Sequence, residues 1–141
     1  MSDLTYAAAG ELLERYRQAL VDGDGDAFVD LHAEHADVQA NPFEAPLAGR
    51  NAIRRRLLDA SVAAEQVEFV FERHWVVPPT VLTAWHGSFV DRQTRARVRL
   101  AGFATFEVAG DGRIDRARYW FNRAATPAGQ EQGTDGRRSL V

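Results

Sequence analysis

Three aspartates at alternate positions, Asp22, Asp24 and Asp26, begin like a calcium loop, which takes oxygen ligands at its first, third and fifth positions. The sixth position is Ala27 instead of Gly and the twelfth is Ala33 instead of Glu, so both the sharp turn and the bidentate ligand are missing. These acids surround two glycines and read as a helix stop followed by a helix cap. His32 and His35, with Glu34 and Asp37 nearby, offer only two nitrogens to a metal, on a helix that is ending. No metal site and no cofactor are expected. The chain has no Cys, which removes disulfides and thiolate nucleophiles, and all 17 basic residues are Arg, which removes lysine Schiff-base chemistry. No Gly-rich phosphate loop and no G-x-S-x-G elbow is present. Arg54, Arg55 and Arg56 form a basic run, but on a helix they point about 100° apart. Arg56 is the one expected to turn towards a pocket, where it would favour an anionic group.

The most informative chemistry lies in what is missing from two strands. Over residues 96–108 one face carries Val98, Leu100, Gly102, Ala104, Phe106 and Val108, and the other carries Arg97, Arg99, Ala101, Phe103, Thr105 and Glu107. The first face belongs to the core. Gly102 and Ala104 leave little side chain in mid-strand, so either a cavity remains or another backbone comes very close. The preceding strand sets Gly87 between Trp85 and Phe89. Aromatic walls around missing side chains suit a flat apolar ligand, and they suit a plain aromatic core as well. On the far face His86, Phe103, Thr105 and Trp120 sit among Arg97, Arg99, Arg116 and Arg118. That mixture reads either as a subunit interface or as a solvated face whose arginines pair with Glu107 and Asp115.

These residues need elements to hold them. Leu12, Leu13, Tyr16, Ala19 and Leu20 recur at helical spacing, which predicts an amphipathic helix over about 4–21, stopped by Gly23. Asp24 caps a second helix carrying Phe28, Val29 and Leu31 and ending near Ala33. Residues 37–41 alternate as a short strand, and Gly49 leads into a third helix running to about Ala63. From Gln66 the period changes to two, and four long strands follow, separated by Pro78-Pro79, by residues 91–94 and by Gly110-Asp111-Gly112. The order is α-α-β-α-β-β-β-β, an α+β domain with three N-terminal helices on one face of an antiparallel sheet. Residues 124–141 carry no apolar period and read as a mobile tail after a domain of 1–123. Length 141 allows one domain, and no stretch has the ~20 apolar residues of a membrane span. The start, Met1-Ser2-Asp3-Leu4, has no secretory signal, so a cytoplasmic location is expected. Net charge of -3 gives no field for nucleic acid or anionic lipid.

The runs Leu13-Glu14-Arg15-Tyr16, Gly23-Asp24 with Phe28 and Leu31, Ala36-Asp37-Val38 to Asn41-Pro42, Gly49 to Arg54, and Gly112-Arg113-Ile114 to Tyr119-Trp120-Phe121-Asn122 resemble the nuclear transport factor 2-like superfamily. The similarity is greatest to its SnoaL-like polyketide cyclase and steroid isomerase branch, over about residues 5 to 123. The resemblance implies a cone of three helices on a strongly curved sheet, a fold that hosts isomerases, cyclases, dehydratases, epoxide hydrolases and binding-only proteins. It matches Tyr16 to the tyrosine that holds an oxyanion in the steroid isomerases. Their base falls at Asn41, or at Ala40 if the register moves by one, and neither takes a proton at neutral pH. Their protonated Asp falls near Ala104, which offers no donor. The final-strand carboxylate of limonene-epoxide-hydrolase-like enzymes falls at Tyr119, and strand 96–108 contains no Asp.

What the resemblance leaves in the pocket is Tyr16, Gln39, Asn41 and Tyr119 as neutral hydrogen-bonding groups, with Trp85, Phe89, Phe106 and Phe121 as apolar wall. Phe43 and Arg56 are further expected ligand contacts, beside the small floor residues Gly102 and Ala104. His32 occupies a helix position where relatives place an inward aromatic, and is either a proton carrier or a core histidine satisfied by a backbone carbonyl. The expected protein is a homodimer through the outer sheet face that binds a small apolar ligand of roughly one to four rings. Its activity would be that of an isomerase, cyclase or dehydratase on a ring-containing carbonyl compound, with a non-catalytic binding or assembly domain as the alternative.

Overall fold

A computed structural model describes residues 4–128. The first helix, α1 (Tyr6–Asp22), starts where Thr5 Oγ1 accepts from the Ala8 N–H at 3.0 Å and ends at Gly23, whose φ of 66° is left-handed. Ala9, Leu12, Leu13, Tyr16 and Ala19 form its buried stripe, the spacing read from sequence. Asp24 caps α2 (Gly25–Asp30) by accepting from the Ala27 N–H at 3.1 Å. Strand β1 (His32–Gln39) and the two-residue β2 (Leu47–Ala48) follow, then α3 (Arg50–Ala63). The long strands are β3 (Ala64–Val77), β4 (Thr80–Asp91), β5 (Arg97–Val108) and β6 (Ile114–Thr126).

The six strands form one sheet in the order β2-β1-β6-β5-β4-β3. The helices bury α1's stripe, Phe28 of α2, and Ile53 and Leu57 of α3 into one core with the inner sheet residues Trp85, Ala104, Phe106 and Ala117. Strands β3 to β6 run antiparallel in sequence, joined by the connections expected at Pro78-Pro79, after Asp91 and around Gly112. At the second of these, Asp91 Oδ1 accepts from the Gln93 and Thr94 N–H groups at 2.8 and 3.1 Å.

The architecture departs from the sequence expectation around β1, which spans His32–Gln39 and not residues 37–41, and at the end of β6. The second helix ends at Asp30 and not near Ala33, because the Ile114 N–H takes the Leu31 carbonyl at 2.7 Å and draws the chain into the sheet. His32 therefore opens a strand and does not sit on a helix. Strand β1 pairs parallel with β6, from His32 opposite Ile114 to Gln39 opposite Arg118, so the sheet is mixed and not antiparallel throughout. Strand β6 continues through Thr126, paired with Arg97, across the start of the expected tail; residues 129–141 of that tail lie outside the described residues.

Mid-strand Gly102 serves close approach. It stands opposite Phe121, and a Cβ placed there would collide with the Trp120 carbonyl oxygen and lie 2.6 Å from Phe121 Cα. The second alternative read from sequence, an approaching backbone, is the one that the fold realises at Gly102.

Candidate active site

Tyr16 lies in the middle of α1's buried stripe, held by Phe28 at 4.9 Å between ring centroids, Phe106 at 5.2 Å and Phe71 at 5.8 Å. Tyr119 reaches the same point from β6, opposite Ala104 in the register. The small Ala104 side chain leaves space on the inner face for the tyrosine ring, which stands edge-on to Phe106 at 5.9 Å and to Trp85 at 5.7 Å. The two hydroxyls are hydrogen-bonded directly to each other.

Burial pushes both phenols well above the usual tyrosine range, opposed at Tyr16 by the bond from Tyr119 and reinforced at Tyr119 by Tyr16. Both are neutral at physiological pH. Two hydroxyls joined by one hydrogen bond use one proton between them and keep a second for an outside acceptor. The pair is thus an uncharged donor.

Both tyrosines line a cavity of about 750 Å³, within the range of small-molecule sites. Leu20, Phe28, Ile53, Leu57 and Phe69 supply apolar wall, and Trp85 and Phe89 close the sheet side. Gly23 and Gly87 are the glycines on this wall; the missing side chain of Gly87 faces Phe69 and the Glu68 carbonyl. Charged groups stand on the wall as well: Asp22, Glu65, Glu68 and Asp91 with Arg56, Arg92 and Arg123. Glu65 is held by Arg92 at 3.3 Å and Arg95 at 2.7 Å.

The structure gathers Tyr16, Arg56, Trp85, Phe89 and Tyr119 at this cavity. Other expected contacts stand elsewhere. Gln39 donates to the Glu44 carbonyl at 2.9 Å, and Asn41 Oδ1 accepts from the Phe43 N–H at 2.9 Å in the turn after β1. Val38 and Ala40 take the wall positions instead, the one-residue alternation that a strand imposes. Phe43 is 96% exposed. Ala104 and Phe106 are buried core beneath the wall, Gly102 is closed by β6, and Phe121 is partly exposed with its ring 5.7 Å from Trp85.

His32 is fully buried and off the cavity wall. Its Nδ1 pairs with the Phe28 carbonyl at 2.8 Å, and its own carbonyl accepts from the Arg50 guanidinium at 3.0 and 2.7 Å. Burial holds its pKa below the usual imidazole value, with Arg50 adding to the lowering and the Phe28 bond opposing it. Its ring stands 6.1 Å from that of Tyr16, so any influence on the cavity passes through that tyrosine.

Sequence reasoning missed the α3–β3 junction, where Ala60, Ser61, Glu65 and Glu68 form one side of the cavity. Its signal was weak: Glu65 finds its arginines across the β4–β5 turn, a pairing that no local spacing announces. Among the described residues no cluster of three or more His, Cys, Asp or Glu could hold a metal, and no helix is long and apolar enough to cross a membrane.

The SnoaL-like domain family matches residues 13–117, a span that runs from the middle of α1 to the first residues of β6. This chain belongs to that family. The chain is also similar in fold to several solved proteins. One is SalBIII, described as an epoxide hydrolase/cyclase-like enzyme with a role in pyran ring formation in the polyether salinomycin; it is 21% identical with a TM-score of 0.72, over 80% of this chain and 89% of that one. Another is a Δ5-3-ketosteroid isomerase from Mycobacterium sp., 15% identical with a TM-score of 0.72, over 84% of this chain and 98% of that one. A third is an LEH-like epoxide hydrolase of M. tuberculosis, 22% identical with a TM-score of 0.70, over 82% and 84%. No curated protein matches the chain by sequence. Tyr16 and Tyr119, both expected in the pocket, stand together on the wall of one cavity.

Proposed function

We propose that this SnoaL-like domain holds an apolar, ring-bearing carbonyl compound in its cavity and polarises the carbonyl through the Tyr16–Tyr119 hydroxyl pair. The observation that carries this reading is the buried pair itself, neutral and with one proton to give, on the wall of an aromatic-lined cavity. A donor held in a dry site strengthens as negative charge gathers on the oxygen, which is what isomerase, cyclase and dehydratase chemistry beside a carbonyl requires. The wall carboxylates supply candidates for proton transfer; Glu65 is engaged by two arginines, whereas Glu68 has no side-chain hydrogen bond or ion pair among the described residues.

Calorimetric titration with α-tetralone and its hydrocarbon parent tetralin tests the reading. The ketone binds about fivefold more tightly, the worth of one hydrogen bond, and Ala60→Trp, which fills the mouth from α3, removes binding of both. Equal affinities for the two compounds, or binding that survives Ala60→Trp, would contradict it. A non-catalytic binding role is the second reading, favoured by Asn41 in its exposed turn, where the resemblance would place a base.

The outer sheet face supports the homodimer. Trp75, Phe103 and Trp120 are 43%, 54% and 45% exposed there, with Phe103 directly opposite Trp120. Arg116 and Arg118 meet Asp37 at 3.7 and 2.6 Å beside them, and Glu72 meets His86 at 2.5 Å, so the face sets exposed aromatics among charges of both signs. Phe103→Arg is expected to convert a sedimenting dimer into a monomer; a wild-type protein that sediments as a monomer at every concentration would refute the interface.

A further inference from the structure

Three arginines stand on the cavity wall, Arg56, Arg92 and Arg123. Two of them face carboxylates of the chain itself. Arg92 meets Glu65 at 3.3 Å, and the Asp91 carboxyl is held below its usual range by the Thr94 and Gln93 N–H groups, with Arg123 adding to the lowering. Arg56 has no side-chain hydrogen bond or ion pair among the described residues, although it is exposed where the wall meets solvent. Its place on α3 is that of an apolar residue. Ile53, Arg56, Leu57 and Ala60 share one face of the helix, the face that lines the cavity, whereas Arg54 reaches Asp26 on α2 and Arg55 is off the wall, about 100° round the helix. A guanidinium set into an apolar stripe of this kind is a ready partner for an anion.

We infer that the molecule held in the cavity carries an anionic group, a carboxylate being the simplest, and that the Arg56 guanidinium binds it. Arg56 is then a specificity-determining contact on α3. The other wall charges favour the same direction. Asp22 accepts from Gln18 at 2.9 Å and Glu65 lies between Arg92 and Arg95, which leaves Glu68 as the unpartnered carboxylate of the wall among the described residues. Standing on β3, it turns an anionic end away from itself and towards α3. The inference rests on the proposal that the cavity holds a ring-bearing ketone: the carbonyl on the tyrosine pair and the anion on Arg56 fix two points of one molecule.

The test is a calorimetric titration with two ketones. One is α-tetralone carrying an oxyacetate group on its aromatic ring, para to the carbonyl-bearing carbon, and the other carries methoxy at that position. Arg56→Gln lowers the affinity for the oxyacetate about fivefold at low salt, and that for the methoxy ketone less than about twofold. Raising the ionic strength shrinks the effect, since exposed charges are screened. Arg55→Gln removes the same charge one position away and changes either affinity less than about twofold. Glutamine keeps the helix propensity of arginine and both positions are exposed, so both variants fold. If the two variants weaken the oxyacetate equally, if Arg56→Gln weakens both ketones equally, or if the oxyacetate fails to bind where the methoxy ketone binds, the contact is refuted and the cavity reading survives. If neither ketone binds the wild-type protein, the cavity reading falls and this contact with it.

Discussion

One methyl group at position 102 is expected to cost the protein about 3 kcal/mol of stability, because overpacking against backbone has no side chain that can yield. The added Cβ would meet the Trp120 carbonyl and Phe121 Cα, both in the β6 main chain, so β5 and β6 would have to separate where they pair. Chemical denaturation of Gly102→Ala checks this, with Gly110→Ala as the control. A Cβ at Gly110 meets nothing within 4 Å, and that change is expected to stay within about 0.5 kcal/mol. A Gly102→Ala midpoint equal to that of the control would show that β6 moves aside freely. Because Gly102 is not on the cavity wall, binding by whatever fraction of the variant remains folded should be nearly unchanged.

Gly102 also shows where reading the chain succeeds and stops. A glycine between aromatics announces a missing side chain, but whether the space holds a ligand or a neighbouring backbone depends on the strand paired beside it. Local periodicities were legible: the stripe that buries Tyr16, the alternation that turns Trp85 inward and Phe103 outward, and the caps at Asp24 and Gly23. The parallel pairing of β1 with β6 was not, since it is made by long-range pairs from His32 opposite Ile114 to Gln39 opposite Arg118, beginning with the bond from the Ile114 N–H to the Leu31 carbonyl. That bond moved His32 from a helix to a strand, and the alternation that follows put Val38 and Ala40 on the wall in place of Gln39 and Asn41. Tyr16 and Tyr119 were each assigned to the pocket by resemblance to the family; their direct contact is a tertiary fact with no trace in spacing.

Removal of both tyrosine hydroxyls is expected to have the largest effect on chemistry. In Tyr16→Phe the Tyr119 proton, no longer shared, turns to the ligand, and in Tyr119→Phe the Tyr16 proton remains available. Each single change therefore keeps one donor and slows carbonyl activation by about tenfold, while the double change leaves none and slows it by about 10²–10³-fold, the scale of a lost oxyanion donor. Deuterium exchange at the carbon beside the carbonyl of α-tetralone follows this without knowledge of the natural substrate. Loss on each single change as large as on the double change would mean that the two hydroxyls act only as a unit. Both side chains keep their rings in these variants, so the aromatic contacts to Phe28, Phe106 and Trp85 are retained.

The frequency of a bound carbonyl measures its polarisation without any catalytic step. Infrared difference spectra of isotope-labelled α-tetralone are predicted to show the C=O stretch of the bound ketone well below its value in an apolar solvent, returning towards that value in Tyr16→Phe/Tyr119→Phe. A bound ketone whose stretch in the wild-type protein already equals the apolar-solvent value would contradict the account.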